Sequence, residues 1–127
     1  MTTPRRTIVA DPQEFLTFTD RAAWRKWLEL NHLNAQEAWL VLKKKRAEAA
    51  SLSLEEAVRE ALCLGWIDGK LKSVDEECYC LRFSPRKPDS VWSIINVRRV
   101  GELIGEGLMT EAGLQKVAEG RISGQWE

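Results

Sequence analysis

An α+β fold in a single domain, with a small antiparallel sheet that includes a β-hairpin packed against about four helices, is predicted by three observations. Segments 66–72 and 78–84 each alternate apolar and polar residues with period two across a short polar loop, which is hairpin patterning. Helix-starting signals at Asp20, at Ser53-x-x-Glu56 and at Thr110 each precede apolar residues at helical spacing. A length of 127 residues, 44% hydrophobic and 30% charged, suits one core of ordinary globular balance. The domain is expected to span 1–127, with an N-terminal arm over 1–13 and a loose tail over 121–127.

Phe15 to Phe18 reads as a short strand, and Asp20 caps a helix whose Trp24, Trp27 and Leu28 form an apolar stripe. Ala38 to Lys43 is a continuous apolar run, as expected of a central strand, and it emerges into Lys43-Lys44-Lys45-Arg46. Those cations read as a soluble edge that resists aggregation, with phosphate contact as the alternative. The capping box Ser53-x-x-Glu56 opens a helix with Ala57, Val58, Ala61 and Leu62 on one face, and Gly65 closes it. The hairpin follows at once. Ile67 and Leu71 share one face of its first strand, Tyr79, Leu81 and Phe83 one face of its second, and Ser73 to Glu77 make the loop. Pairing symmetric about Asp75 sets Ile67 opposite Phe83 and Asp68 opposite Arg82.

Pro85 and Pro88 lack amide donors and restrict the residues before them, so pairing stops near Ser84. Asp89 or Ser90 then caps a helix with Ile94, Val97, Gly101 and Ile104, flanked by Val100 and Leu103, toward the core. Trp92, Asn96 and Arg99 follow at i, i+4 and i+7 on another stripe that leads toward solvent. Thr110 caps a last short helix through Val117, and Gly120 to Gly124 loosens the chain before Trp126.

The stretch from Trp66 to Arg99 concentrates the chemistry. Trp66, Asp68, Lys70, Arg82, Arg86, Trp92, Ser93, Asn96 and Arg99 combine aromatic, cationic, carboxylate and amide groups, the mixture expected of a ligand-binding site. An Asp68 carboxylate facing Arg82 across the strands would orient the guanidinium and leave donors free for a ligand; the alternative is a structural ion pair. Between residues 78 and 100 five cations (Arg82, Arg86, Lys87, Arg98, Arg99) stand against Asp89 alone, on a chain of zero formal charge. Such a patch, with the open backbone donors of a helix start, suits a phosphate, a carboxylate or an acidic side chain. A solvated basic face without a ligand is the plainer alternative.

These residues also carry a resemblance. The motifs Gly65-Trp66-Ile67-Asp68-Gly69, Arg82 to Pro88, Val91-Trp92-Ser93-x-x-Asn96 and Leu103 to Leu114 are similar to those of the YdeI/OmpD-associated family, the bacteriocin-protection proteins, over about Phe15 to Trp126. The resemblance implies a small α+β bacterial protein linked to envelope stress, to protection against bacteriocins and cationic peptides, and to association with a porin. It implies no catalytic mechanism. Cys78, Cys80, Leu81 and Ile94 depart from the family pattern, which is more polar or basic there, so charge contributes less to this chain's patch.

Three classes of function follow. The favoured one is a non-enzymatic binding module holding an anionic small molecule or an acidic partner segment, without a cofactor or metal. The second is an enzyme acting on a phosphorylated or carboxylated compound, with Asp68 as general base and Arg82 stabilising negative charge. It lacks a nucleophile with its base and a Gly-rich phosphate loop, and an Asp paired with Arg makes a poor base near neutrality. The third is a nucleic-acid binder stacking bases on an exposed Trp92, against which a sequence pI of about 6.6 argues. Oligomeric state is not specified by the sequence.

Three cysteines, with Cys78 and Cys80 alternating on one strand face and Cys63 buried in a helix, do not make the CxxC spacing of zinc or redox sites. His32 is the single histidine and falls at a helix end, which is too little for a zinc site. No run reaches the roughly 20 apolar residues of a membrane span. Thr7 to Ala10 is too short for the apolar stretch of a signal peptide. A cytoplasmic location is the expectation.

Overall fold

A computed structural model describes residues 15–44 and 52–126. The expected N-terminal arm, and Lys45 and Arg46 of the basic run, lie outside the described residues. The elements are β1 (Phe15–Leu16), α1 (Arg21–Asn31), β2 (Ala38–Lys43), α2 (Leu54–Cys63), β3 (Trp66–Ser73), β4 (Cys78–Pro85), α3 (Ile94–Gly105) and α4 (Glu111–Ser123). The expected α+β class with a hairpin and four helices is what the chain adopts. The strand order is β1-β2-β4-β3. The short β1 pairs parallel to β2 through the α1 crossover, so the sheet is mixed rather than purely antiparallel.

The core lies against one face of this sheet. Ala38, Leu40, Leu81 and Phe83 are buried and meet across β2 and β4, Ala38 opposite Phe83 and Leu40 opposite Leu81. Trp24 of α1 occupies the centre, its ring 5.3 Å from Phe83 and 5.7 Å from Trp27, and its Nε1 donates to the Ala57 carbonyl at 3.0 Å. That bond satisfies the one polar atom of a fully buried indole. Each such large apolar side chain contributes roughly 1.5–3 kcal/mol by leaving water.

The local signals at three helix starts work as written. Asp20 accepts from Ala23 N, Ser53 and Glu56 close a reciprocal capping box, and Thr110 accepts from Gly113 N. Gly65 leaves α2 at a φ of +82°, and a Cβ there would lie 2.9 Å from Lys116 Cγ, so glycine serves both the turn and the approach of α4. From there the chain enters β3 directly, with Arg86 N bonded to the Gly65 carbonyl at 2.9 Å.

Four expectations are corrected. The hairpin is not symmetric about Asp75: Ser73 pairs with Tyr79 and Leu71 with Leu81, then a bulge intervenes, and Asp68 pairs with Phe83 and Ile67 with Ser84. Asp75 Oδ1 accepts from the amides of Glu77 and Cys78, both at 2.8 Å, which moves the centre of the loop one residue on. Gly69 and Lys70 together then oppose Arg82, the two-against-one arrangement of a bulge. As a result Trp66 is buried while Ile67 is half-buried and Leu71 is exposed.

Helix α3 is capped by Ser93 rather than Asp89 or Ser90, its hydroxyl accepting from Asn96 N at 3.1 Å. Its buried side is Asn96, Val100 and Leu103, whereas Ile94, Gly101 and Ile104 face outward and Val97 is half-buried. The helix is turned because Val100 and Leu103 pack deeper than the alternative stripe. Finally, α4 does not stop at Val117 or loosen at Gly120. It runs to Ser123, and Gly124 in the left-handed region (φ +86°) turns Gln125 and Trp126 back onto Trp92.

Candidate functional site

The nine residues singled out in the sequence do not meet in one hollow. Arg82 points from the face of β4 opposite Phe83, and its Nε donates to Glu37 Oε1 at 2.5 Å. Asp68 sits opposite Phe83 and therefore on the other face, so the expected Asp68–Arg82 pair does not form. The single-residue shift in register is the cause, because neighbouring strand positions point to opposite sides. Lys70 is exposed in the bulge, and Trp66 is buried with its ring 6.0 Å from Trp27, edge to face. Ser93 is spent on its cap. Asn96 is buried and its Oδ1 accepts from Arg99 Nη1 at 2.7 Å, while Arg99 also grips Glu55 through Nε at 3.1 Å and Nη2 at 2.7 Å. Arg82, Asn96 and Arg99 are thus held by internal partners.

Trp92 was expected on the solvent side of a helical stripe, open enough to stack on a base. It instead precedes the helix and is 5% exposed. Gly120 of α4 lies against its indole, Trp126 meets it edge-on at 5.0 Å, and its amide donates to the Gln125 carbonyl. A stacking platform for nucleic acid is therefore not present at Trp92.

Arg86 and Trp92, named separately among the candidate residues, do meet. The Arg86 guanidinium lies 3.7 Å from the centre of the Trp92 ring, and Nη2 donates to the Val91 carbonyl at 2.7 Å. Arg86 is only 3% exposed, and its Nε and Nη1 are buried with no hydrogen-bond partner among the described residues. Burial pushes its pKa down to about 10, with the Asp68 charge pulling the other way, so the group stays cationic at neutral pH. A desolvated cation over an indole recovers about 2 kcal/mol, while removing an ion from water costs several. Asp68 acts on Arg86 through space and makes no ion pair with it within 4.0 Å among the described residues. Arg86 is consequently an under-compensated buried cation.

A concavity lies where α1, α2 and α4 converge. A groove of about 750 Å³ is lined by residues that include Glu29, His32, Leu33, Leu64, Thr110 and Gln115. An adjoining cleft of about 310 Å³ shares His32 and Leu33 and is walled by Gly65, Trp66, Pro85 and Lys116. Trp66 and the residue just before Arg86 thus belong to its wall. This groove is not legible in the sequence, since its lining comes from the ends of α1 and α2 and the start of α4, segments far apart in the chain. The charged groups are of mixed sign, with Glu29 and Glu111 in the groove and Lys116 in the adjoining cleft.

Sequence reasoning also missed a buried carboxylate. Glu60 receives Arg21 Nε at 2.7 Å and Arg25 Nη1 at 2.9 Å, and Arg25 reaches on to the Leu108 carbonyl at 3.2 Å. The only local sign is a charge on the otherwise apolar face of α2. This knot ties α1, α2 and the α3–α4 connection, and as a closed set of internal pairs it is structural. Cys78 and Cys80 lie in β4 as expected, and Cys63 ends α2, buried; burial pushes the Cys63 thiol up to about 11.

Among known families, the model of a domain of unknown function, DUF8412, matches residues 16–116. The chain belongs to the DUF8412 family. The matched span runs from β1 into α4 and so contains the sheet, the bulged hairpin, Arg86, Trp92 and most of the groove lining. No curated protein and no solved structure matches this DUF8412 chain.

Proposed function

We propose that this DUF8412 domain is a non-enzymatic binding module that holds an anionic group, a carboxylate or phosphate of a small molecule or an acidic side chain of a partner segment, at Arg86. One observation carries the reading: a guanidinium that is 3% exposed, with two of its nitrogens unpartnered. A methionine or leucine in that space would avoid the desolvation cost, so a charge retained there is best explained by what it recognises. The cleft walled by Gly65, Trp66, Pro85 and Lys116 reaches the residue before Arg86 but is not lined by Arg86 itself, and on this reading it takes the ligand's apolar part.

The enzymatic alternative has less support, because Asp68 and Arg82 stand on opposite faces of the sheet and share no reacting centre. The resemblance to YdeI/OmpD-associated proteins supports a role in bacterial envelope stress or in protection against bacteriocins and cationic peptides. On that reading the domain works in the cytoplasm and meets a porin through a partner. No helix among the described residues is long and apolar enough to cross a membrane.

The test follows the Arg86 Nε–H resonance by nuclear magnetic resonance while phosphate, acetate and glutamate are added. A saturable shift confined to Arg86 and the Trp92 indole is expected. If no anion moves that resonance at any concentration that leaves the fold intact, the reading fails.

A further inference from the structure

We infer that the outward face of α3 is a self-association surface, on which a second copy of the chain packs its own α3 antiparallel. The inference is independent of the anion site. Helix α3 buries Asn96, Val100 and Leu103, and the side directly opposite them carries Ile94, Arg98, Gly101 and Gly105. Ile94 is 75% exposed, and Val91, Ile95 and Ile104 around it are also exposed. The solvent side of a surface helix is ordinarily polar, so a second apolar face opposite the core marks a contact with something outside the chain.

The glycines point the same way. Gly101 and Gly105 each weaken an isolated helix by about 1 kcal/mol relative to alanine. A Cβ at either position would meet nothing within 4 Å, so no packing inside the chain requires them. Their effect is to leave backbone open where another helix can come close.

The arrangement of charge selects the occupant and its direction. Around the outward face, one flank is apolar (Val97, Gly101, Ile104), and the other carries Arg98, Glu102 and Glu106 with Ile95 among them, Glu102 being paired with Arg59 of its own chain. A two-fold axis perpendicular to the helices brings each flank against the same flank of the other copy, with opposite ends together. Apolar side then meets apolar side, and Arg98 near the start of one helix faces Glu106 near the end of the other, twice per dimer. Parallel packing would instead lay the apolar flank on the charged one. Antiparallel packing also opposes the two helix dipoles. A surface complementary to itself in this way is the kind of patch that makes a closed two-fold dimer.

The test is sedimentation of the full chain across a range of concentrations, with two sets of variants. A monomer–dimer equilibrium is expected, lost in Ile94→Asp. Arg98→Glu and Glu106→Arg each weaken association by roughly tenfold, and an equimolar mixture of the two restores it as a heterodimer, because both cross-pairs are then opposite in sign. In a Cys78→Ser background, Gly101→Cys cross-links to itself under mild oxidation and Ile94→Cys does not. A chain that stays monomeric at every concentration overturns the inference, and so does cross-linking of Ile94→Cys as readily as Gly101→Cys.

Discussion

Gly120 of α4 lies so close to the Trp92 indole that a Cβ in its place would sit 2.5 Å from Nε1. That approach seats the last helix on the aromatic that also supports Arg86. Gly120→Ala gains helix propensity of up to about 1 kcal/mol but forces the indole out of its seat, which costs about 1–3 kcal/mol. The expected outcome is a lower melting temperature and altered tryptophan fluorescence. Gly113→Ala should cost more, since its Cβ would sit 2.3 Å from the Cys63 carbonyl oxygen, and backbone yields less than a side chain.

Glu60 joins Arg21 and Arg25 in a mostly buried knot, so Glu60→Gln removes the charge that two guanidinium groups depend on. Breaking a fully buried pair costs about 3–5 kcal/mol; Arg21 is 38% exposed and can turn to water, which brings the expected loss to about 2–3 kcal/mol. Urea denaturation measures it. A loss below the uncertainty of the titration would show that the knot contributes nothing to stability.

Glu55 is gripped by Arg99, its strongest influence, and by Arg59, which together hold its carboxyl at about 2 rather than the usual 4.5. Because the folded value is the lower one, the contribution is complete above about 4.5 and is lost as pH falls from there toward 2. Its side chain is 50% exposed, so solvent screening reduces the gain well below the full shift. Wild type should therefore exceed Glu55→Gln in unfolding free energy at pH 7, and the gap should narrow at pH 3. A gap independent of pH would contradict the assignment.

The three thiols should separate by reactivity. Burial raises the thiols of Cys63 and Cys80, whereas Cys78 is half-buried at the start of β4. Since the thiolate is the reactive form, an alkylating reagent near pH 8 should modify Cys78 in the folded protein and reach Cys63 and Cys80 only after denaturant is added. Mass spectrometry of the labelled peptides reads the order.

What the sequence made legible was local. Asp20, Ser53 with Glu56, and Thr110 announce helix starts because a cap is settled within three or four residues. Register was not local. A loop centred one residue later and the extra residue of the bulge at Gly69 and Lys70 together set Asp68 opposite Phe83 instead of Arg82, and the true partner of Arg82, Glu37, lies 45 positions earlier. The phase of α3 was ambiguous for a physical reason: the helix has two apolar faces, and periodicity alone does not say which one meets the core. Arg86 and Trp92 were singled out by residue type, yet their stacking depends on where α4 lies, which no nearby residue encodes.

The most direct test of the proposed role compares thermal melting of wild type and Arg86→Met in phosphate, acetate and glutamate, with chloride at equal ionic strength as reference. Arg86→Met should melt no lower than wild type in chloride, because a buried charge has been replaced by an apolar chain, and the other anions should raise the melting temperature of wild type alone. An Arg86→Met protein that is strongly destabilised, together with equal anion responses in both proteins, would contradict the proposed role and leave Arg86 as a structural pin over Trp92.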